Sequence, residues 1–175
     1  MNIREAIATI NRMQSDGGIE HYAIGGAVGA TFYLEPIATL DVAVFVNFKS
    51  EIGSAIVNPQ PIFDYITARG GAMRDEYIVI AGWPVQFLQT TGPLVEEALR
   101  DAVIKDVEGT PARVFTAEHL AVIALQTGRA KDKARLLQFI EAGALQVARF
   151  QAIVARHGLA DAWKRFEKQF LTGAP

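Results

Sequence analysis

The stretch IGGAVGATFYLEPIATLDVAVFV, residues 24 to 46, decides how this chain is read. Gly25 and Gly26 stand where a short apolar run, HYAI, gives way to small residues, so they read as a turn that ends a strand and opens a helix. AVGATFYLE then reads as a small-residue helix packed closely on a sheet, and LDVAVFVNF as a second strand. Side chains at i and i+2 of a strand leave the same face, so two acids so spaced can converge on cations, which take carboxylate oxygens. Asp41 supplies the first. Two residues on, the same face carries Ala43.

The flanks extend the pattern. Ile3, Ile7, Ile10 and Met13 recur at helical spacing over residues 2 to 14, and SDGG stops that helix. Downstream, PQPIFDYITAR (59 to 69) predicts a helix ended by Gly70 and Gly71. Tyr77 to Ile80 and Val85 to Leu88 predict a hairpin around AGWP, and residues 93 to 102 a helix. KDVEGTPARVF predicts a hairpin turning at Gly109 to Pro111. From Thr116, a suitable N-cap, apolar residues recur every three or four positions: one helix stops at Gly128, and others follow over 130 to 141, 143 to 157 and 159 to 170. The expected fold class is α+β, a small mixed β-sheet flanked by helices over residues 1 to 115, followed by a C-terminal helical subdomain over 116 to 175. With no Pro/Ser-rich linker between them, the two are expected to act as one functional unit.

Composition narrows the function classes. The chain has 175 residues, half of them hydrophobic, and no cysteine, which excludes disulfides, thiolate ligands and a thiol nucleophile. No apolar run approaches the ~20 residues that span a bilayer, and the N-terminus carries no signal-like segment, so the expected location is cytoplasmic and no membrane partner is implied. The net charge of −2 hides an asymmetry: residues 1 to 110 carry 7 basic and 14 acidic side chains, residues 111 to 175 carry 10 and 5. A cleft between the two parts would have one basic wall able to meet phosphates. His21, His119 and His157 fit no metal-binding spacing and read as lone surface or half-buried side chains; Trp83, Trp163 and the ten Phe read as core. Neither a GxSxG elbow nor a GxxxxGK loop occurs.

Taken together, these residues resemble the polymerase-β-type nucleotidyltransferase superfamily, and within it the AbiEii-like branch of small bacterial proteins associated with toxin-antitoxin systems. That branch shows a Gly-Gly, a helix, a Pro-Arg-x-Thr-x-Asp-x-Asp segment and a hairpin ending in an acid. Here EPIATLDVAV and GWPVQFL stand in those places. Pro36, Thr39 and Asp41 match; Ile37 stands where Arg is usual, and Ala43 and Gln86 stand at the second and third acids. FTAEHLAVIALQTGRAKDKARLL resembles the branch's Gly-Arg-x-Lys-Asp helical segment through Gly128, Arg129, Lys131 and Asp132. The resemblance implies a nucleotide or other phosphate ligand, met by Gly25, Gly26 and Thr39 and faced by Lys131, with Arg129 and Arg135 as helpers. Asp41 would be the remnant catalytic acid and metal ligand.

Two missing acids of three set the mechanistic question, because a pair of bridging metal ions would lose most of its ligands. Three readings stay open. One is a catalytically impaired protein that retains the cleft and binds. Another is an active, toxin-like enzyme that uses Mg²⁺ and a substitute acid such as Glu35, Asp75 or Glu76 to transfer a nucleoside monophosphate to RNA, protein or a small molecule. The third is an interaction domain without a ligand, whose oppositely charged halves serve oligomer contacts.

Overall fold

The computed structural model describes residues 2–35, 41–47, 59–74 and 77–172. Pro36, Ile37, Thr39, Asp75 and Glu76 lie outside the described residues. The elements run α1 (Ile3–Ser15), β1 (His21–Ile24), α2 (Gly26–Ala30), β2 (Val42–Asn47), α3 (Gln60–Thr67), β3 (Ala72–Arg74), β4 (Tyr77–Ile80), β5 (Trp83–Gln89) and α4 (Pro93–Arg100). They continue with β6 (Val103–Val107), β7 (Thr110–Val114), α5 (Ala117–Thr127), α6 (Ala130–Glu141), α7 (Val147–Arg156) and α8 (Ala160–Phe166), which runs into a π-helical turn (Glu167–Leu171). The expected α+β architecture is what forms.

Among the described residues, seven strands join one mixed sheet in the order β3-β4-β5-β2-β1-β7-β6. β2 is central, antiparallel to β1 and parallel to β5, while β1 also runs parallel to β7. Alternation along the central strands feeds two cores. Val42, Val44 and Val46 join Tyr22 and Ile24 against Ile7, Ile10 and Met13 of α1 and Ile62 and Ile66 of α3. On the opposite face, Ala23 and Phe115 pack with Leu94 and Ala98 of α4, Leu120 and Ala121 of α5, Leu136 and Phe139 of α6, and Phe150 of α7. Trp83 packs against the first core and Trp163 against the second, as the sequence reading expected.

Local signals account for most boundaries. The Asn2 side chain accepts from Glu5 N at 3.1 Å and starts α1. Thr116 caps α5 by accepting from His119 N, and Gly128, at φ 65°, ends it in the left-handed conformation that glycine tolerates. Four expectations need correction. β3 was not predicted, since its three residues are all exposed and show no alternation. α2 has five residues, shorter than AVGATFYLE suggests. α7 begins at Val147, where the Glu118 carboxylate accepts the Gln146 amide at 2.9 Å. The β6–β7 turn lies at Glu108 and Gly109, both at positive φ, with Asp106 Oδ2 accepting from Gly109 N.

Candidate functional site

The parallel pairing of β2 with β5 places Ala43 beside Gln86 and Phe45 beside Leu88. Partners in such a pair point to the same face, here the face opposite the buried valines of β2. These four side chains, with Asp41 one residue before β2, line a cavity of about 570 Å³. Its other wall comes from α5 and α6, including Leu120, Ile123, Arg129, Lys131, Asp132 and Arg135. Of the residues singled out in the sequence, the structure thus gathers Gly26, Asp41, Ala43, Gln86, Arg129, Lys131 and Arg135 in one place, from segments far apart in the chain.

Gly25 and Gly26 divide their roles. Gly25 N donates to Ala43 O at 3.0 Å and so belongs to the sheet, whereas Gly26, at φ 60°, lines the cavity. The absence of a side chain at Gly25 has its own reason. A Cβ there would lie 2.5 Å from Phe45 Cε2 and 3.1 Å from Phe115 Cδ2, and those two rings pack together at 4.9 Å between centroids. Gly25→Ala is therefore expected to displace the ring pair and destabilise the fold by about 1–3 kcal/mol, as overpacking does. Thermal denaturation tests this, and an unchanged Tm would show that the rings yield freely.

The basic wall is built around a buried carboxylate. Asp132, 2% exposed, accepts from Arg129 Nε at 2.6 Å and lies 3.7 Å from Arg135 Nη1. This bond raises the Arg129 pKa. Arg135 is largely buried, and its Nε has no hydrogen-bond partner, an orphaned donor beside the cavity. Lys131 is exposed on the cavity rim. The lining also includes apolar residues, Phe45, Leu88, Val95, Phe115, Leu120 and Ile123. Phe45 and Phe115 were read from the sequence only as core; their place in the cleft follows from i+2 spacing on β2 and from the β7–α5 junction.

The same lining tests whether divalent cations fit. A two-metal site needs several carboxylate oxygens converging within ligand distance. Among the described residues, the cavity's carboxylates are Asp41 and Asp132, and Asp132 is committed to two arginines. Ala43 offers a methyl group and Gln86 a neutral amide. Glu35, proposed as a substitute acid, does not line the cavity. The described donor set does not fit a pair of metal ions.

Elsewhere the reading of the histidines needs correction. His119 and His157, taken as lone side chains, both meet Glu97: His119 Nε2 lies 3.1 Å from Oε1 and His157 Nε2 lies 2.8 Å from Oε2. Arg156 adds a bidentate pair at 2.9 and 2.6 Å. Thr116 Oγ1 sits 2.8 Å from His119 Nδ1 and accepts the His119 amide, so its hydroxyl donates to Nδ1 and Nε2 carries the proton given to Glu97. The Arg156 guanidinium, followed by the two imidazoles, holds the Glu97 carboxyl well below the usual range. Donor atoms of Glu97, Asp101 and His119 lie within 4.8 Å of one another, but Arg156 already neutralises the shared carboxylate. This is a structural knot tying α4 to α5 and α7.

No protein-family profile matches the sequence, and no curated protein is similar to it in sequence. Solved structures are similar in fold. ANT(2'')-Ia in complex with adenylyl-2''-tobramycin superimposes with a TM-score of 0.57 at 12% identity, over 95% of this chain and 99% of that one. The solution structure of the antibiotic-resistance factor ANT(2'')-Ia gives 0.50 at 12% identity over 93% and 94%. An antigenic nucleotidyltransferase-like protein from Paracoccidioides brasiliensis gives 0.51 at 14% identity over 92% and 91%. The chain therefore has a nucleotidyltransferase-type fold along nearly its whole length.

Proposed function

We propose that this protein is a nucleotidyltransferase-fold binder, of the AbiEii-like type, that retains a nucleotide- or phosphate-binding cleft and has lost ordinary nucleotidyl transfer. The carrying observation is the register Ala43 beside Gln86 on the cavity floor, next to Asp41. Two acids there would face a shared cation; a methyl and an amide do not. The protein's own contribution is binding: Arg129, Lys131 and Arg135 supply positive charge and N–H donors to phosphate oxygens, and the apolar wall receives a base. Residues 1–115 and 116–175 act together in this reading, since each supplies one wall. The complex of ANT(2'')-Ia with a nucleotide-derived ligand supports a nucleotide-sized occupant.

Calorimetric titration with nucleotides in the presence of EDTA, and again with Mg²⁺ or Mn²⁺, tests the proposal. Binding that is independent of metal is the expected result. Tight binding only with metal would favour the active-enzyme reading and sink this one. A companion variant probes the ancestry: Ala43→Asp with Gln86→Asp is expected to create a Mn²⁺ site absent from the parent, read by calorimetry with the metal alone.

A further inference from the structure

We infer that Gln86 reads the nucleoside part of the ligand, through a neutral group that donates and accepts hydrogen bonds side by side: a nucleobase edge or a pair of ribose hydroxyls. This rests on the binding reading above and adds a specificity-determining residue to it. Gln86 lines the cavity, half-buried, in register with Ala43, whose methyl group offers it no partner. Its side-chain amide makes no hydrogen bond among the described residues. Several other polar side chains of the lining are already satisfied. Asp132 is bound by Arg129, Thr127 Oγ1 donates to Ile123 O at 2.7 Å, and Thr91 and Gln126 are exposed to water.

The neighbours of Gln86 sharpen the contrast. Phe45 and Leu88 follow on the same face, one step of ~7 Å along β2 and β5, so an apolar surface adjoins the amide. A half-buried amide beside apolar groups gives up less hydration than an exposed one when a ligand bonds to it, and gains correspondingly more. The amide presents a C=O acceptor and an NH₂ donor together, which matches a group carrying an adjacent donor and acceptor. A nucleobase edge and a ribose diol both have that pair. Ionised phosphate oxygens only accept, so they would use the NH₂ and meet the C=O with like partial charge. With an amide where the resemblance places an acid, this point of the floor holds a neutral group and fixes the ligand's orientation.

The test is calorimetry of the full chain and of Gln86→Met, which keeps the side chain's length without its amide, in EDTA with AMP, CMP, GMP and UMP, ribose 5-phosphate and inorganic phosphate. At least one nucleotide is expected to bind the parent more tightly than inorganic phosphate. Gln86→Met should weaken that nucleotide about 5- to 10-fold, the effect of one hydrogen bond, and leave inorganic phosphate and the Tm unchanged. An equal loss for ribose 5-phosphate assigns the contact to the ribose hydroxyls, and no loss there assigns it to the base. Should Gln86→Met fail to fold, Gln86→Asn withdraws the amide by one methylene and carries the same comparison. Unchanged nucleotide affinity in the folded variant, or an equal loss for nucleotide and inorganic phosphate, overturns the inference while the parent's nucleotide binding leaves the cleft of the preceding section standing. Inorganic phosphate binding the parent as tightly as every nucleotide overturns it too, by removing the nucleoside from recognition. Failure of every ligand to bind the parent overturns both the inference and the proposed function.

Discussion

The double variant Lys131→Ala/Arg135→Ala is expected to weaken nucleotide binding by about 10²- to 10⁴-fold. Each charge-assisted hydrogen bond to a phosphate oxygen contributes about 1.5–3 kcal/mol, and 1.4 kcal/mol is a factor of ten in Kd. Both side chains line the cavity, but they reach it differently. Lys131 is exposed on the rim, so Lys131→Ala should leave the melting temperature unchanged while lowering affinity. Arg135 is largely buried and lies near Asp132, so Arg135→Ala also leaves that carboxylate with Arg129 as its remaining ion-pair partner. Arg135→Lys separates the effects. It keeps the charge but loses the planar fork and the Nε donor, and should recover stability more fully than affinity. Unchanged affinity in Lys131→Ala, with the protein folded, would place the ligand away from α6.

Much of this site was legible in the sequence because strand spacing is rigid. Once LDVAVFV is a strand, Asp41, Ala43 and Phe45 share a face, and the pairing with β5 completes the floor with Gln86 and Leu88. What the spacing cannot give is commitment of partners. Arg129 reads in the sequence as a helper toward phosphate, yet its Nε is bound to Asp132 three residues on, a contact that depends on how α6 is capped. Gly25 is a similar case: composition marks a turn, but only the packed structure shows Phe45 and Phe115 occupying the space where a Cβ would stand. β3 was invisible for a different reason. An exposed edge strand of three residues buries nothing, so it leaves no hydrophobic period to read.

The Glu97 knot was the least legible element and carries the largest expected effect on stability. Its members are separated by 22 residues to His119 and 60 to His157, and no local pattern links them. Glu97→Ala is expected to destabilise the protein by about 3 kcal/mol, the lower end for breaking a buried ion pair, because Arg156 is half exposed and can turn to water. Fully buried His119 has no such escape, and its Nε2 proton would lose its acceptor. For a chain of this length the corresponding Tm drop is about 6–12 °C.

The pH dependence gives the prediction its sharper form. The folded pKa of Glu97 lies below its ordinary 4.5, so its contribution is complete above that value and drains away as pH falls beneath it. Burial lowers the His119 pKa from 6.5, with Glu97 opposing the shift, so the stability its neutral form confers is also lost in acid, from about pH 6.5 downward. Removing Glu97 takes away the group that holds the His119 pKa up. The stability gap between parent and Glu97→Ala should therefore widen slightly between about pH 7 and 5, then narrow below about pH 4.5 as the parent's own carboxyl is protonated. Denaturant midpoints measured across that range test this, and a gap constant with pH would mean that Glu97 stabilises by packing alone.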